Sequence, residues 1–286
     1  MTLGEVFKKA LEGKWSTGHF NFSESDQARA ICEAAKEVGS IAFIGTSEGE
    51  ANHLGYGIAV ALRDAFRAEL GIPIFLNSDH HKSVDAAKKA IDAGYDSIHI
   101  DLSAKSFEEN LSGTKKIVAL ARAKGGEINV EGELGYLRGD SKIQNEKIEV
   151  RPEDYTDPDK SAEFVKKTGV NRLAIAVGNI HGISIDEPNL DIKRIKKIRA
   201  AVPSEVALVL HAGSGIPNDQ IKAAIAAGIA NIHINTDIRI AYAKALRGEL
   251  QKSSETTPYK FDTPAREALK AVVKEKLILF GSKNRI

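Results

Sequence analysis

Short apolar runs rich in β-formers recur along the chain, and stretches with helical spacing of apolar residues lie between them. The runs lie at 18–22, 40–47, 72–79, 97–103, 128–135, 172–179, 206–213 and 231–237. Strands that alternate with helices are typical of parallel βαβ units, and about eight such units close a barrel. The pattern therefore predicts an α/β fold, a (β/α)8 TIM barrel.

Local signals support the helices of this pattern. Ser83 is placed to cap a helix that ends at Gly94, and a second helix begins at Pro217. We expect a single domain over 1–286 with a C-terminal helical extension from about 255 to 286. The alternative is an open doubly wound sheet, which needs a glycine-rich phosphate loop after its first strand. The segment "GHFNFSES" is not such a loop.

Composition narrows the class of protein. The chain has 286 residues and a formal net charge of +1, which gives no reason to expect a nucleic-acid or membrane partner. The single cysteine, Cys32, lies in a helical pattern, and we interpret it as core packing. The N-terminus lacks the apolar segment of a signal peptide, so we expect a cytoplasmic protein.

Polar residues follow most of the predicted strands. In a TIM barrel the active site lies at the carboxyl ends of the strands, so these positions are candidates for function. They are Asn21, Ser47, Asp79, His80, Asp101, Glu131, Glu133, Asn179, His181, His211, Asn235 and Thr236.

Three of these strand ends carry histidine: His80, His181 and His211. Imidazole is a common zinc ligand, and three protein ligands with one open position are typical of a catalytic zinc site. Unrelated histidines are the plainer interpretation, but three at equivalent ends favour a metal centre. Of the other histidines, His19 and His53 lie outside this pattern, and we expect His99 to point into the barrel or its wall.

Carboxylates accompany the histidines. Glu131 and Glu133 are two apart on one strand and share a face, and Asp101 ends the neighbouring strand. Such groups can orient metal-binding histidines or hold the ion in a second position. Solvated strand ends are the alternative.

Two segments suit a phosphate group. "HAGSGIP" places Gly213 and Ser214 between a strand and a helix, where the backbone can approach an anion. "INTD" adds Asn235 and Thr236 after the last strand, and many barrels bind phosphate at these two loops.

Taken together, "SDH", "VEGELG", "YTDP", "AVGNIHG", "LVLHAGSGIP", "NTD" and the tail "PAREALKAVVKEKLILFGS" resemble the class II, metal-dependent ketose-bisphosphate aldolases, such as the fructose-1,6-bisphosphate aldolases. The resemblance covers nearly the whole chain. It implies that His80, His181 and His211 bind a metal ion, usually Zn²⁺, and that Asp79 is the catalytic acid/base. It further implies a second or alternate metal position at Glu133 and Asp101.

The resemblance also implies substrate contacts and partners. Asn21, Ser47 and His233 match substrate-lining positions, and main-chain groups near the phosphate often hold Na⁺ or K⁺. A phosphorylated ketose is the implied substrate, and a homodimer or homotetramer the implied assembly. The donors that grip the phosphate match Gly182, Gly213, Ser214, Asn235 and Thr236.

The implied reaction takes a proton from the C4 hydroxyl, breaks the C3–C4 bond and leaves a zinc-stabilised enediolate. Asp79, next to the ligand His80, suits the proton transfer. A Schiff-base aldolase would need a lysine at a strand end. "AVGNIHG", at the end of the sixth predicted strand, has none.

Several positions depart from the family pattern. Ser141 stands where a loop glutamate is usual, with Asp140 and Glu146 as candidate replacements. His233 replaces an asparagine. His81 replaces a small residue, and we interpret it as a surface histidine, with a substrate or phosphate contact as the alternative.

The sequence therefore predicts an aldolase that splits fructose 1,6-bisphosphate into dihydroxyacetone phosphate and glyceraldehyde 3-phosphate. Tagatose 1,6-bisphosphate or another phosphorylated ketose remains open as the substrate. A zinc hydrolase is a second class, since such sites also activate water. The departures leave a non-catalytic phosphosugar-binding protein as a third.

Overall fold

The computed structural model describes residues 1–185 and 188–286 and contains a closed barrel of eight parallel strands. The described residues form ten strands, eight of which make the barrel: β1 (Thr17–Asn21), β2 (Ala42–Ser47), β3 (Ile74–His81), β4 (Ser97–Ile100), β5 (Asn129–Leu134), β6 (Gly139–Ile143), β7 (Arg172–Ile175), β8 (His181–Ile183), β9 (Ala207–Leu210) and β10 (Ile229–Ile234). The order around the barrel is β1, β10, β9, β7, β5, β4, β3, β2. Because β1 also pairs with β2, the sheet closes. The single-domain TIM barrel is confirmed, and the open-sheet alternative is wrong.

Helices separate the strands and form the outer layer. They are α1 (Leu3–Gly13), α2 (Ser25–Val38), α3 (Glu48–Leu54), α4 (Tyr56–Leu70), α5 (Val84–Ala93), α6 (Phe107–Ala123), α7 (Pro158–Thr168), α8 (Ile192–Ala201), α9 (Asn218–Ala226), α10 (Thr236–Lys252), α11 (Pro258–Phe261) and α12 (Thr263–Leu279), with a 3₁₀ turn at Pro152–Asp154. Within the described ranges, no helix is both long and apolar enough to cross a membrane.

The helix signals of the sequence correspond to real caps. The Ser83 hydroxyl accepts from the amide of Ala86 at 3.1 Å, and α5 ends on Gly94 with φ 100°, a conformation that suits glycine. Pro217 directly precedes α9.

Helix α1 closes the amino-terminal end of the barrel. Its Leu3, Val6 and Phe7 are buried in a cluster that includes Phe43 and Phe75 near the starts of their strands. The rings of Phe7 and Phe43 meet edge to face with centroids 6.1 Å apart. Water is therefore kept out at this end, and the opposite end is left for the polar strand termini.

Two strands outside the barrel, β6 and β8, pair in parallel near its carboxyl end. Gln144 fastens them, since its Nε2 donates to the carbonyls of Asp140 at 2.7 Å and His181 at 2.9 Å. The sequence pattern assigned 172–179 to one strand and missed this ribbon. The barrel strand ends at Ile175, and His181 lies on the separate strand β8.

Candidate metal centre and active site

A cleft opens where the carboxyl ends of the barrel strands meet the β6–β8 ribbon. It brings together residues from the carboxyl ends of four barrel strands, β1, β3, β9 and β10, and from the ribbon. Its lining residues are Asn21, Asp79, His80, Ser141, His181, Gly182, His211, Ala212, Ser214, His233, Asn235 and Thr236.

His80 is held by an uncommon backbone conformation and by two side-chain contacts. Its backbone has a φ of 45°, a left-handed conformation that costs a non-glycine residue about 1–3 kcal/mol and often marks a functional site. Its amide donates to Nδ1 of His99 at 3.1 Å, and its own Nδ1 lies 2.8 Å from Oδ2 of Asp101. The remaining ring atom, Nε2, is buried without a partner among the described residues. A buried nitrogen left open in this way suits a metal ion.

His211 is oriented in the same manner. Its Nε2 lies 2.6 Å from Oε1 of Glu131, so the carboxylate holds the ring proton at that atom and leaves the lone pair on Nδ1. The ring centroid lies 4.5 Å from that of His80. Ala212, the next residue, also has a positive φ of 56°. The backbone on both sides of the cleft is therefore held in an uncommon conformation.

His181 reaches the cleft from β8. Its ring centroid lies 4.9 Å from that of His80. Burial and the neighbouring His80 lower the pKa of His181 to about 3, which keeps its imidazole neutral, as a metal ligand must be. Its position on the ribbon differs from the barrel-strand end that the sequence pattern suggested.

The donors around His80 form compact groups. Ligand atoms of Asp79, His80, His99 and His211 lie within 4.8 Å of one another, and so do those of His80, Asp101 and Glu133. Among residues 1–185 and 188–286, none of the compact groups includes His181. Imidazole and carboxylate donors at this spacing, with carboxylates behind two of the rings, fit a zinc-type ion.

Asp79 lies beside these histidines and is nearly buried. Its Oδ2 accepts from Nδ2 of Asn21 at 3.0 Å, and its Oδ1 lies 3.1 Å from Nδ1 of His233. Burial raises its pKa, but the charge of His80 and the hydrogen bond to His233 outweigh burial and hold the pKa well below its ordinary value. An ionised carboxylate fixed on both oxygens can accept a proton from a bound substrate.

The barrel interior supplies residues that the strand-end pattern missed. The ring of His19 stacks on that of His233, with centroids 3.8 Å apart. Outside the barrel interior, half-buried Glu50 accepts from Asn21 Nδ2 at 3.0 Å. Its first-turn position in α3 gave no sign of this. His99, expected to point into the barrel or its wall, points inward, and its Nε2 lies 3.3 Å from Oε2 of Glu133.

The expected phosphate side is assembled in part. Gly182, Ser214, Asn235 and Thr236 line the cleft. Gly213 is not among the lining residues, but its amide donates to the carbonyl of His233 at 2.9 Å. The Asn235 Oδ1 is buried without a partner among the described residues. Asn235 directly precedes α10, and the amide of Asp237 in the first turn of this helix donates to the Ser214 hydroxyl at 3.1 Å.

The structure places some of the expected surrounding residues outside the cleft lining. Ser47 is not among the lining residues, and its hydroxyl caps α3 by accepting from the amide of Glu50 at 3.3 Å. Ser141 lines the cleft through the ribbon, whereas Asp140 and Glu146 are exposed. Asp140 pairs with Lys142 at 3.0 Å, so neither candidate replacement for the loop glutamate lies at the site.

His81 is neither a surface residue nor a lining residue. Its side chain is fully buried, and its Nε2 lies 3.1 Å from the hydroxyl of Tyr56. The left-handed φ of His80 interrupts the alternation of side chains along β3, and His81 points toward Tyr56, the first residue of α4. Both interpretations of this residue from the sequence are therefore wrong. Cys32 packs in the core, as expected, and His53 is exposed.

Comparisons with known proteins cover nearly the whole chain. Residues 1–285 match the family model described as fructose-bisphosphate aldolase class-II. The chain is 38% identical over 289 aligned positions to a fructose-bisphosphate aldolase from Staphylococcus aureus, with 100% of this chain and 98% of that protein covered. A fructose-bisphosphate aldolase from Geobacillus stearothermophilus is 37% identical with the same coverage. The crystal structure of the YdjI aldolase from Escherichia coli K12 superposes with a TM-score of 0.84 at 32% identity, covering 98% of this chain and 97% of that one.

Proposed function

Because the chain belongs to the class II fructose-bisphosphate aldolase family, a family of lyases, we propose that it reversibly cleaves fructose 1,6-bisphosphate to dihydroxyacetone phosphate and glyceraldehyde 3-phosphate. One observation carries the proposal. Ligand atoms of His80 and Asp79 lie within 4.8 Å of each other, and Nε2 of His80 is open, so a metal position and a proton acceptor adjoin in one cleft.

We assign the metal to His80, His181 and His211, with Asp101 and Glu133 as the carboxylates that orient His80 or offer an alternate position. When bound, Zn²⁺ supplies a Lewis acid that stabilises negative charge on substrate oxygens. The carboxylates of Asp101, little exposed, and Glu133, fully buried, lie 2.8 Å and 3.7 Å from Nδ1 of His80, which supports this assignment.

Asp79 is the proposed acid/base. Its carboxylate accepts the proton of the C4 hydroxyl during cleavage and returns it during condensation. Asn21 and His233 hold its two oxygens from opposite sides, so the carboxylate needs no reorientation when substrate arrives. In this arrangement His233 contacts Asp79 and also lines the substrate cleft.

The substrate phosphate is assigned to the cleft wall formed by Gly182, Ser214, Asn235 and Thr236. The amino-terminal amides of α10 and the backbone near Ser214 are suitable donors for an anion. A Na⁺ or K⁺ ion among the main-chain groups there, and a homodimer or homotetramer, remain predictions of the family resemblance.

The choice of sugar depends on two cleft residues that depart from the family pattern. Ser141 and His233 line the cleft where relatives carry other residues, so tagatose 1,6-bisphosphate or another phosphorylated ketose is the alternative substrate. A metal-dependent hydrolase would use the same histidines, and the products that the protein releases distinguish it from an aldolase.

A coupled assay separates these functions. Purified protein is given fructose 1,6-bisphosphate, tagatose 1,6-bisphosphate and other ketose phosphates, and both triose phosphate and inorganic phosphate are measured. The proposal predicts triose phosphate with the highest kcat/KM for fructose 1,6-bisphosphate. Release of inorganic phosphate supports a hydrolase, and ligand binding without any product supports a phosphosugar-binding protein.

A further inference from the structure

A fully buried arginine lies below the reaction centre, in the amino-terminal half of the barrel. Arg172 is the first residue of β7, and its side chain has no solvent exposure. Its guanidinium carbon lies 5.2 Å from the ring centroids of both Phe7 and Phe43, which separate it from solvent under α1. A buried guanidinium is costly unless each of its donors is used.

All the donors of Arg172 face acceptors on other strands of the barrel. Its Nε donates to Oδ1 of Asn129 at 2.8 Å, and its Nη2 to Oδ1 of Asn77 at 3.2 Å and to the hydroxyl of Ser97. These contacts hold the planar group in one orientation. Its Nη1 contacts side chains of two further strands, Asn231 of β10 and Glu131 of β5.

One branch from Nη1 leads to Asp79. Nη1 donates to Oδ1 of Asn231 at 3.0 Å, and the same oxygen lies 3.0 Å from Nε2 of His233. The Asn231 amide cannot be reversed, because Nη1 of Arg172 can only donate and must face the amide oxygen, while Nδ2 donates to the Thr17 hydroxyl at 2.9 Å. His233 then reaches Asp79 through Nδ1 at 3.1 Å.

The second branch leads to His211. Nη1 of Arg172 lies 2.7 Å from Oε2 of Glu131, and Oε1 of the same carboxylate lies 2.6 Å from Nε2 of His211. Nη1 of Arg172 is therefore connected to the proposed proton acceptor, Asp79, by one branch and to the proposed metal ligand His211 by the other.

We propose that Arg172 is a positioning residue of the reaction centre, acting on Asp79 through Asn231 and His233 and on His211 through Glu131. Arginine suits this role because its rigid fork fixes several acceptors at once, whereas a lysine ammonium presents a single point charge. The Asp79 branch rests on the proposed aldolase function. The His211 branch concerns metal binding and is tested without any substrate.

Two variants separate the branches while Arg172 stays in place. Asn231→Leu removes the link to His233, and we expect kcat to fall about 10–100-fold while KM and the zinc Kd change less than about threefold. Glu131→Gln keeps an oxygen for Arg172 but turns an N–H toward Nε2 of His211. The ring proton then moves to Nδ1, and we expect the zinc Kd to rise about 10–100-fold.

Substitution of the arginine itself should combine both effects. Arg172→Lys keeps the charge and loses the fork, and we expect a lower kcat together with a higher zinc Kd. The matched control is Arg63→Met, which removes another buried arginine, one paired with Asp96 at 2.9 Å outside the barrel. The control should lower Tm and leave kcat and the zinc Kd within about twofold.

Zinc Kd is measured by chelator competition on folded protein well below its Tm, and kcat and KM by triose-phosphate release. If Asn231→Leu keeps wild-type kcat, or Arg172→Lys keeps both values, the proposal is overturned. Failure of the wild-type protein to release triose phosphate contradicts the proposed function instead. The effect of Glu131→Gln and Arg172→Lys on zinc then still tests the metal branch.

Discussion

Nδ1 of His80 lies 2.8 Å from Oδ2 of Asp101, and this contact leaves Nε2 of the same ring buried and without a partner among the described residues. The Asp101 carboxylate thereby fixes both the orientation and the tautomer of the ring. Asp101→Asn replaces the carboxylate by an amide of the same shape. We expect the zinc affinity to fall about 10–100-fold, as chelator competition would measure.

The control for this variant is Asp92→Asn, at an exposed position where the carboxylate pairs with Lys88 on the protein surface. It should leave zinc affinity unchanged. Equal zinc affinities of wild type and Asp101→Asn would mean that Asp101 does not orient a metal ligand.

Proton transfer and metal binding should separate at neighbouring residues. Asp79→Asn removes the proton acceptor but keeps the volume and the contact with Asn21. We therefore expect turnover to fall about 10²–10⁴-fold with zinc still bound. His211→Ala should lose turnover and most of the bound zinc together. The readouts are triose-phosphate release and metal content per folded molecule, and full activity of Asp79→Asn would remove it as the base.

The ribbon loop offers a third test. Asp140 and Glu146 are exposed and do not line the cleft, so Asp140→Asn and Glu146→Gln should each keep kcat/KM within about twofold of wild type. A loss of more than about tenfold in either variant would show that the loop brings this carboxylate to the substrate during turnover.

His81 predicts a pH dependence of stability. Burial lowers the pKa of His81 to about 4, whereas the pKa of a histidine in an unfolded chain is about 6.5. Above pH 6.5 both states are neutral at this residue, and below it the unfolded chain binds a proton that the folded chain does not. The free energy of unfolding should therefore fall by up to about 1.4 kcal/mol per pH unit between about pH 6.5 and 4 from this group.

The matched variant is His81→Gln, which keeps a polar group near the hydroxyl of Tyr56 and does not titrate. Urea unfolding at several pH values should give a shallower loss of stability below pH 6.5 for the variant. Parallel curves for the two proteins would mean that His81 is not buried in its neutral form.

The barrel and much of the site could be predicted from the sequence because the apolar runs show where each strand ends. Asp79, His80 and His211 follow directly from apolar runs, and the runs alternate with clear helix signals. His181 was identified as a candidate, but the strand that carries it was not. The ribbon strand β8 has only 3 residues, too short for a period to be recognised.

Residues that act from inside the barrel could not be recognised in this way. Arg172 begins a strand, at the end of the barrel away from the cleft, where a charged residue ordinarily reads as solvent-exposed. His19 lies mid-strand in β1, and its stacking on His233 depends on β1 pairing with β10, far away in sequence. Contacts of this kind arise only when the sheet closes.

The central claim is that a metal held by the histidine cluster is required for carbon–carbon bond cleavage. The most direct measurement is triose-phosphate release from fructose 1,6-bisphosphate after complete metal removal by chelator and dialysis, followed by titration with Zn²⁺. We predict no turnover without metal and a return of activity that saturates with the zinc bound at the cluster. Full turnover by protein shown to be free of metal would contradict the account.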